Sequence, residues 1–244
     1  MFPTEEVTLP SKGLIYPQDN PLAKGVLEMK YMTAKEEDIL TNESYIKNGT
    51  VVDKLLQALI VTPINYNDLI VGDKNAIMIA ARVLGYGKDY TFKLKNEEHT
   101  VDLTEVADKE IKEEHLLEKG KNEFSFDLPT IGKNITFKIL THGDEKKIDT
   151  EVKGLKKINR NESAEYSTRL KHMILSVDGD YERKTVRQFV DNQLLARDAR
   201  ALREYIKEIQ PDVDLVFDLE TSAGDVQGVR IPIGVTFFWP DTEL

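Results

Sequence analysis

The sequence predicts an α+β fold made of an N-terminal helical layer, central antiparallel β hairpins, a second helical region and a C-terminal β hairpin. Three observations predict it. Apolar residues recur at helical spacing over 51–60, 74–87 and 195–209, whereas alternation with a period of two takes over after Tyr90 and again after Pro211. Strands do not alternate regularly with helices, so a doubly wound parallel sheet is disfavoured. The divisions fall at 1–88, 89–140, 141–210 and 211–244, forming one or two compact domains.

Pro3, Pro10, Gly13, Pro17, Asn20, Pro21 and Gly25 crowd the first thirty residues, which read as an extended arm anchored by apolar side chains. VLEMKYM (26–32) alternates like a strand with one apolar face. Thr33 stands three residues before Glu36, the spacing of a capping box. Thr50 before Asp53 is a shortened form of the same device, opening a helix with Val51, Leu55, Leu56 and Leu59 on its faces that stops before Pro63. Asp73 suits the N-cap of KNAIMIAARVLGYG, a run apolar nearly all round and so buried, which Gly85 and Gly87 end. TFKLK and EHTVDL form one hairpin turning at Asn96–Glu97, and FSFDL and NITFKIL a second across Pro129–Gly132. The charged stretch EVADKEIKEEHLLEKGKN between them reads as surface helix or loop. Three helices follow, over 143–159, 163–176 and 185–209, the last with a break near Asn192. DLVFDLE and VRIPIGVTFFW then read as strands joined by the long loop TSAGDVQG.

Composition narrows the chemistry. The chain has 244 residues, 33 Lys plus Arg against 43 Asp plus Glu, and a net charge of −10. That field repels phosphate backbones and anionic lipid, so neither nucleic acid nor membrane is an expected partner. With no cysteine there are no disulfides, thiolate nucleophiles or cysteine-ligated metals. No secretory leader pattern or membrane-length apolar run is present, and a cytoplasmic location is expected. Four N-x-S/T triplets, at Asn42, Asn48, Asn134 and Asn161, read as ordinary polar loop residues.

His99, His115, His142 and His172 lack the spacing that puts two imidazoles on one helix face, so no metal site is expected. THGDE (141–145) gathers an imidazole and two carboxylates and is the one place where a metal-dependent hydrolase could be argued, but a helix N-terminus accounts for it. The pairs Glu36–Glu37, Glu97–Glu98 and Glu113–Glu114 would point about 100° apart on a helix. Phosphate-loop, dinucleotide and nucleophile-elbow motifs are absent, so no catalytic residue, cofactor or small-molecule substrate is expected. Arg197, Arg200, Arg203 and Lys207 stripe the last helix among Asp198, Glu204 and Glu208, an arrangement of solubility and intrahelical pairing whose partner, if it has one, is an acidic protein surface.

Contact candidates lie near the ends of the chain: Leu9, Pro10, Leu14 and Tyr16 in LPSKGLIYP, and Phe237, Phe238, Trp239 and Pro240 in VTFFWPD. Strand alternation cannot bury three consecutive aromatics on one face. They either pack between this protein's own layers or anchor a partner.

LPSKGLIYP (9–17), YMTAKEEDIL (31–40), LIVGDKNAIMIAARVLGYGKDY (69–90), FDLPTIGKNITFKIL (126–140) and IPIGVTFFWPD (231–241) follow one another in an order that resembles the baseplate hub assembly family of contractile-tailed, T-even-like bacteriophages. The resemblance spans nearly the whole chain. It implies a non-enzymatic tail protein that works through protein contacts, as a hub component or an accessory assembly factor beside the tape-measure protein. The implied partners are other hub or tape-measure proteins, and the implied places are the host cytoplasm during assembly and the virion. A transient chaperone absent from the virion is the alternative role. Relatives are expected to carry Cys-x-x-Cys knuckles where this chain has KLKNEEHTV and DLETSAGDV, so it departs from that pattern and no zinc role follows.

Overall fold

Turn chemistry folds the first thirty residues back on themselves. The computed structural model describes residues 3–94, 97–158, 164–221, 224–231 and 235–238. Strand β1 (Thr4–Thr8) pairs antiparallel with β2 (Val26–Lys30), Thr8 standing opposite Val26. The extended arm expected here is therefore a hairpin with a long folded loop. It reverses through left-handed backbone at Lys12 (φ 49°) and Gly13 (φ 75°) and closes on a 3-10 turn, Pro21–Lys24, whose first N–H groups are capped by Asn20. Leu27 and Met29 of β2 face the core, as the alternation requires.

Helix α1 (Ala34–Leu40) starts where the Thr33–Glu36 spacing places it. The Glu36 carboxylate accepts the Thr33 N–H at 3.0 Å, the Thr33 hydroxyl at 2.5 Å and the Lys30 ammonium at 2.8 Å. Short α2 (Glu43–Lys47) is capped by Asn42, and α3 (Val51–Leu59) buries Val51, Leu55, Leu56 and Leu59. Asp53 does not cap α3; it is drawn to distant partners described below. The apolar helix α4 (Val71–Tyr86) begins before the expected cap, so Asp73 sits inside its first turn and Ile70 at its N-cap.

Strands β3 (Asp89–Leu94) and β4 (Glu97–Asp102) form the expected first hairpin, and β6 (Phe124–Asp127) with β7 (Asn134–Phe137) the second. Between them the charged stretch is neither all loop nor helix. It contains β5 (Ala107–Lys109), which pairs with β9 (Asp212–Asp214) about a hundred residues away, Asp108 opposite Val213.

The second helical region consists of α5 (His142–Ile158), α6 (Glu165–Met173), α7 (Arg183–Asn192) and α8 (Ala196–Ile209). The break at Asn192 is where expected. The 163–176 pattern is split, because Ile174–Val177 is strand β8, the third strand of the β6–β7–β8 sheet. Short apolar runs do not distinguish strand from buried helix, and here pairing with β7 decides. Finally β10 (Val216–Thr221) and β11 (Gly224–Arg230) form the terminal hairpin, but most of the loop expected at TSAGDVQG belongs to β11. VTFF is a 3-10 turn, Val235–Phe238, rather than strand.

One buried apolar cluster runs from Leu9 to Phe238 and draws on all four divisions of the chain, with a satellite of Leu140, Ile148 and Val152 joined to it through Met173. Those divisions are changes of structure type rather than separate cores. Among the described residues no helix is long and apolar enough to cross a membrane.

Candidate functional site

LPSKGLIYP is built into the molecule. Leu9 is fully buried, Pro10 and Tyr16 are buried and Leu14 is half-buried. Its turns are closed by backbone bonds from Lys12 to Leu9, Leu14 to Ser11 and Tyr16 to Gly13. A side chain at Gly13 would collide with the carbonyl of Ala23, so its left-handed backbone and the close 3-10 turn behind it both require glycine. The loop is fastened to α4 by Asp73, whose Oδ1 accepts the Ser11 N–H at 2.9 Å and whose Oδ2 accepts the Tyr16 hydroxyl at 2.6 Å. The same hydroxyl accepts the Ile70 N–H at 3.2 Å. Burial raises the Asp73 carboxyl to about 6, against the lowering effect of its hydrogen bonds from Tyr16 and Ser11.

Phe237 and Phe238 are likewise fully buried, with Phe237 4.9 Å from the Tyr90 ring and the two phenyl rings edge-on at 5.6 Å. The 3-10 turn reconciles this with the alternation argument: at about 3.0 residues per turn neighbouring side chains diverge by about 120° instead of the roughly 180° of a strand, so both rings can reach buried surroundings. Trp239 and Pro240 lie outside the described residues. Leu9, Pro10, Tyr16, Phe237 and Phe238 thus belong to this protein's own packing and are not free to anchor a partner; of the N-terminal candidates only Leu14 is partly open.

The polar groups converge around Asp53. Its Oδ1 takes the Lys74 ammonium at 2.5 Å and the Tyr66 hydroxyl at 3.0 Å, while its Oδ2 lies 3.5 Å from Nε2 of buried His142. Tyr66 meets the imidazole edge-on at 4.8 Å. Burial holds the imidazole below its usual pKa, against the pull of Asp53. Burial alone would raise Asp53, but the Lys74 hydrogen bond and charge outweigh it and the carboxyl lies low. A neutral imidazole beside a carboxylate could act as a base, but the ammonium of Lys74 takes the position that a cation would need. Within THGDE, buried Asp144 is held by Lys138 at 2.7 Å and by Thr141. Among the described residues no group of three or more His, Asp or Glu could hold a metal ion.

Two of the molecule's hollows lie one on each face of the β5–β9 ribbon. Successive strand residues point to opposite faces, so Lys109, Asp212 and Asp214 line one hollow and Asp108 the other. The first, about 440 Å³, is cationic, adding Arg203, Lys207 and Arg230. Arg203 stacks over Tyr166 at 4.8 Å, the Lys109 ammonium donates to the Lys207 carbonyl, and Asp212 accepts from Asn75 at 2.8 Å. The second, about 550 Å³, is an apolar groove floored by Ala76, Ala80 and Val83 of α4 and rimmed by Glu5, Glu6 and Asp108. Of these residues Arg203 and Lys207 belong to the basic stripe of the last helix, and Ala76, Ala80 and Val83 to the apolar run KNAIMIAARVLGYG, which the sequence marks as buried core and not as a groove floor. The groove's signal was the small pair Ala76 and Ala80 at a four-residue spacing.

Compared with family models, curated proteins and solved structures, the chain matches none.

Proposed function

We propose that this chain is a non-enzymatic contact protein that acts in the assembly or structure of a contractile phage tail's baseplate hub. What supports the contact reading is the pair of hollows of opposite charge on the two faces of one ribbon, in a molecule whose Asp53 carboxylate, beside His142, is already held by Lys74 and Tyr66. Two lined surfaces back to back suit a protein that sits between neighbours. The hub itself is implied by the ordered resemblance of segments from 9–17 to 231–241, with other hub proteins or the tape-measure protein as partners. The hydrolase alternative rests on His142, where Lys74 neutralises the carboxylate a metal would need.

Co-expression with the tail proteins, cross-linking, and mass spectrometry of both assembling and finished particles test the reading. Stoichiometric peptides in finished particles support a hub component. Peptides in assembly intermediates alone support the transient chaperone. Absence from both, with no cross-link to a tail protein, sinks the proposal. Full complementation by His142→Ala is the expected result, and loss of assembly by a variant that folds normally would revive the chemical reading.

A further inference from the structure

The apolar groove has the shape and the unpaired backbone of a site for a strand. Its two walls are β1 and the stretch from Leu103 to Asp108, its floor the α4 stripe Ala76, Ala80 and Val83. At one end the walls are stitched together, by the Ile111 N–H on the Pro10 carbonyl at 3.3 Å and by the Lys12–Glu110 ion pair at 2.5 Å. From there they part, and the groove lies between them.

Register identifies which backbone groups of β1 face it. Leu9 donates to the Gly25 carbonyl at 2.8 Å, so odd-numbered residues of this strand turn their N–H and C=O toward β2. Glu28, opposite Glu6, turns both of its own groups away from β1: its N–H goes to the Thr62 hydroxyl at 2.7 Å and its carbonyl accepts Val61 N–H at 2.8 Å. Glu6 and Thr8 therefore present their N–H and C=O on the outer edge. The Pro10 carbonyl continues that edge, and Ile111 has already bonded to it. Within the described residues β1 has β2 as its one strand partner. An unpaired edge above an apolar floor is a template for strand addition.

Charge selects the occupant. The charged residues that line the groove are Glu5, Glu6 and Asp108, all acidic. A second copy of this chain offering its own β1 would set TEEVT against the same carboxylates, in a protein of net charge −10. We propose that this groove takes an extended segment of a partner protein, with apolar side chains at alternate positions on α4 and Lys or Arg beside Glu5, Glu6 and Asp108, paired to the backbone of Glu6 and Thr8. The inference rests on the contact reading above and names the partner's chemistry.

Fluorescence anisotropy with a labelled six-residue peptide of alternating Val and Lys tests it, with a block isomer of the same residues as control. Binding of the alternating peptide is expected, and of the block isomer about tenfold weaker or worse. Ala80→Phe, which fills the floor, should abolish the difference while leaving the melting temperature in place. A probe that cannot disturb folding is the peptide itself. In a strand all Val nitrogens face one edge and all Lys nitrogens the other, so N-methylating one set should remove binding and methylating the other should not. Equal affinity for both isomers, equal effects of the two methylation patterns, or a chain that self-associates through the groove until Ala80→Phe disperses it would each overturn the proposal. Particle association that survives loss of peptide binding would leave the hub reading standing, whereas peptide binding without any tail partner would leave the groove and remove the hub.

Discussion

Asp73 was legible in the sequence as a carboxylate at a helix start and illegible as what it is, because its partners Ser11 and Tyr16 lie about sixty residues earlier. Asp53 is illegible for the same reason: local spacing suggests a cap, and Tyr66, Lys74 and His142 claim the side chain instead. The consequence at Asp73 is measurable. Its folded pKa of about 6 stands above the unfolded value of about 3.9, so the folded state holds a proton that the unfolded state has released. The stability this group contributes is full below the unfolded value and is lost as pH rises through the folded one, by about 3 kcal/mol at most. Glu36 and Glu151, both brought to about 2, act in the opposite sense: their contribution is present above the unfolded carboxylate value and lost as pH falls toward 2. Comparing wild type with Asp73→Asn in urea titrations from pH 4 to 7 isolates the Asp73 part. The wild type should gain on the variant as pH falls, and a flat difference would refute the account.

At the scale of elements, helices were readable from their own residues: α3 and α8 each carry a sustained apolar stripe, and α4 is apolar nearly all round. Strands with an adjacent partner were readable too, as in β3–β4 and β6–β7. What escaped were short strands whose partner is remote or whose run is ambiguous: β1, β5, β8 and β9. The groove escaped with them, since its walls come from residues 5–8 and 103–108 and its floor from α4. Gly72 tests one such remote junction. It lies in the first turn of α4, where an added Cβ would strike the Pro211 carbonyl just before β9 begins. Beside it Asn75 donates to Asp212 at 2.8 Å, so helix and ribbon are locked together at this point. Gly72→Ala raises helix propensity by about 1 kcal/mol, yet it should destabilise the protein by about 1–3 kcal/mol, because overpacking against backbone cannot relax by a rotamer change. Denaturant unfolding reads the sign directly, and a stabilised variant would mean that α4 and β9 are not in contact there.

For the whole molecule, residues near the two chain ends are parts of one core, and this bears on how it unfolds. Leu9 and Phe237, more than two hundred residues apart in sequence, belong to the same buried cluster. Phe237 rests on Tyr90 of β3, so the last described turn closes over the first central hairpin. If the four divisions were separate folding units, damage near the C-terminal end would melt the terminal hairpin and leave the α3–α4 layer intact. A shared core predicts otherwise. Phe237→Ala removes a large buried ring at a cost of about 3–5 kcal/mol, which for a chain of this size lowers the melting temperature by about 6–20 °C. The shift should be the same by far-ultraviolet circular dichroism, which follows the helices, and by near-ultraviolet signal from the aromatic core, with one transition in each. Leu9→Ala should lower the same single transition. Two resolved steps, or a Phe237→Ala variant that melts like the wild type but loses partner binding, would return the terminal aromatics to the partner-anchoring alternative that their sequence left open.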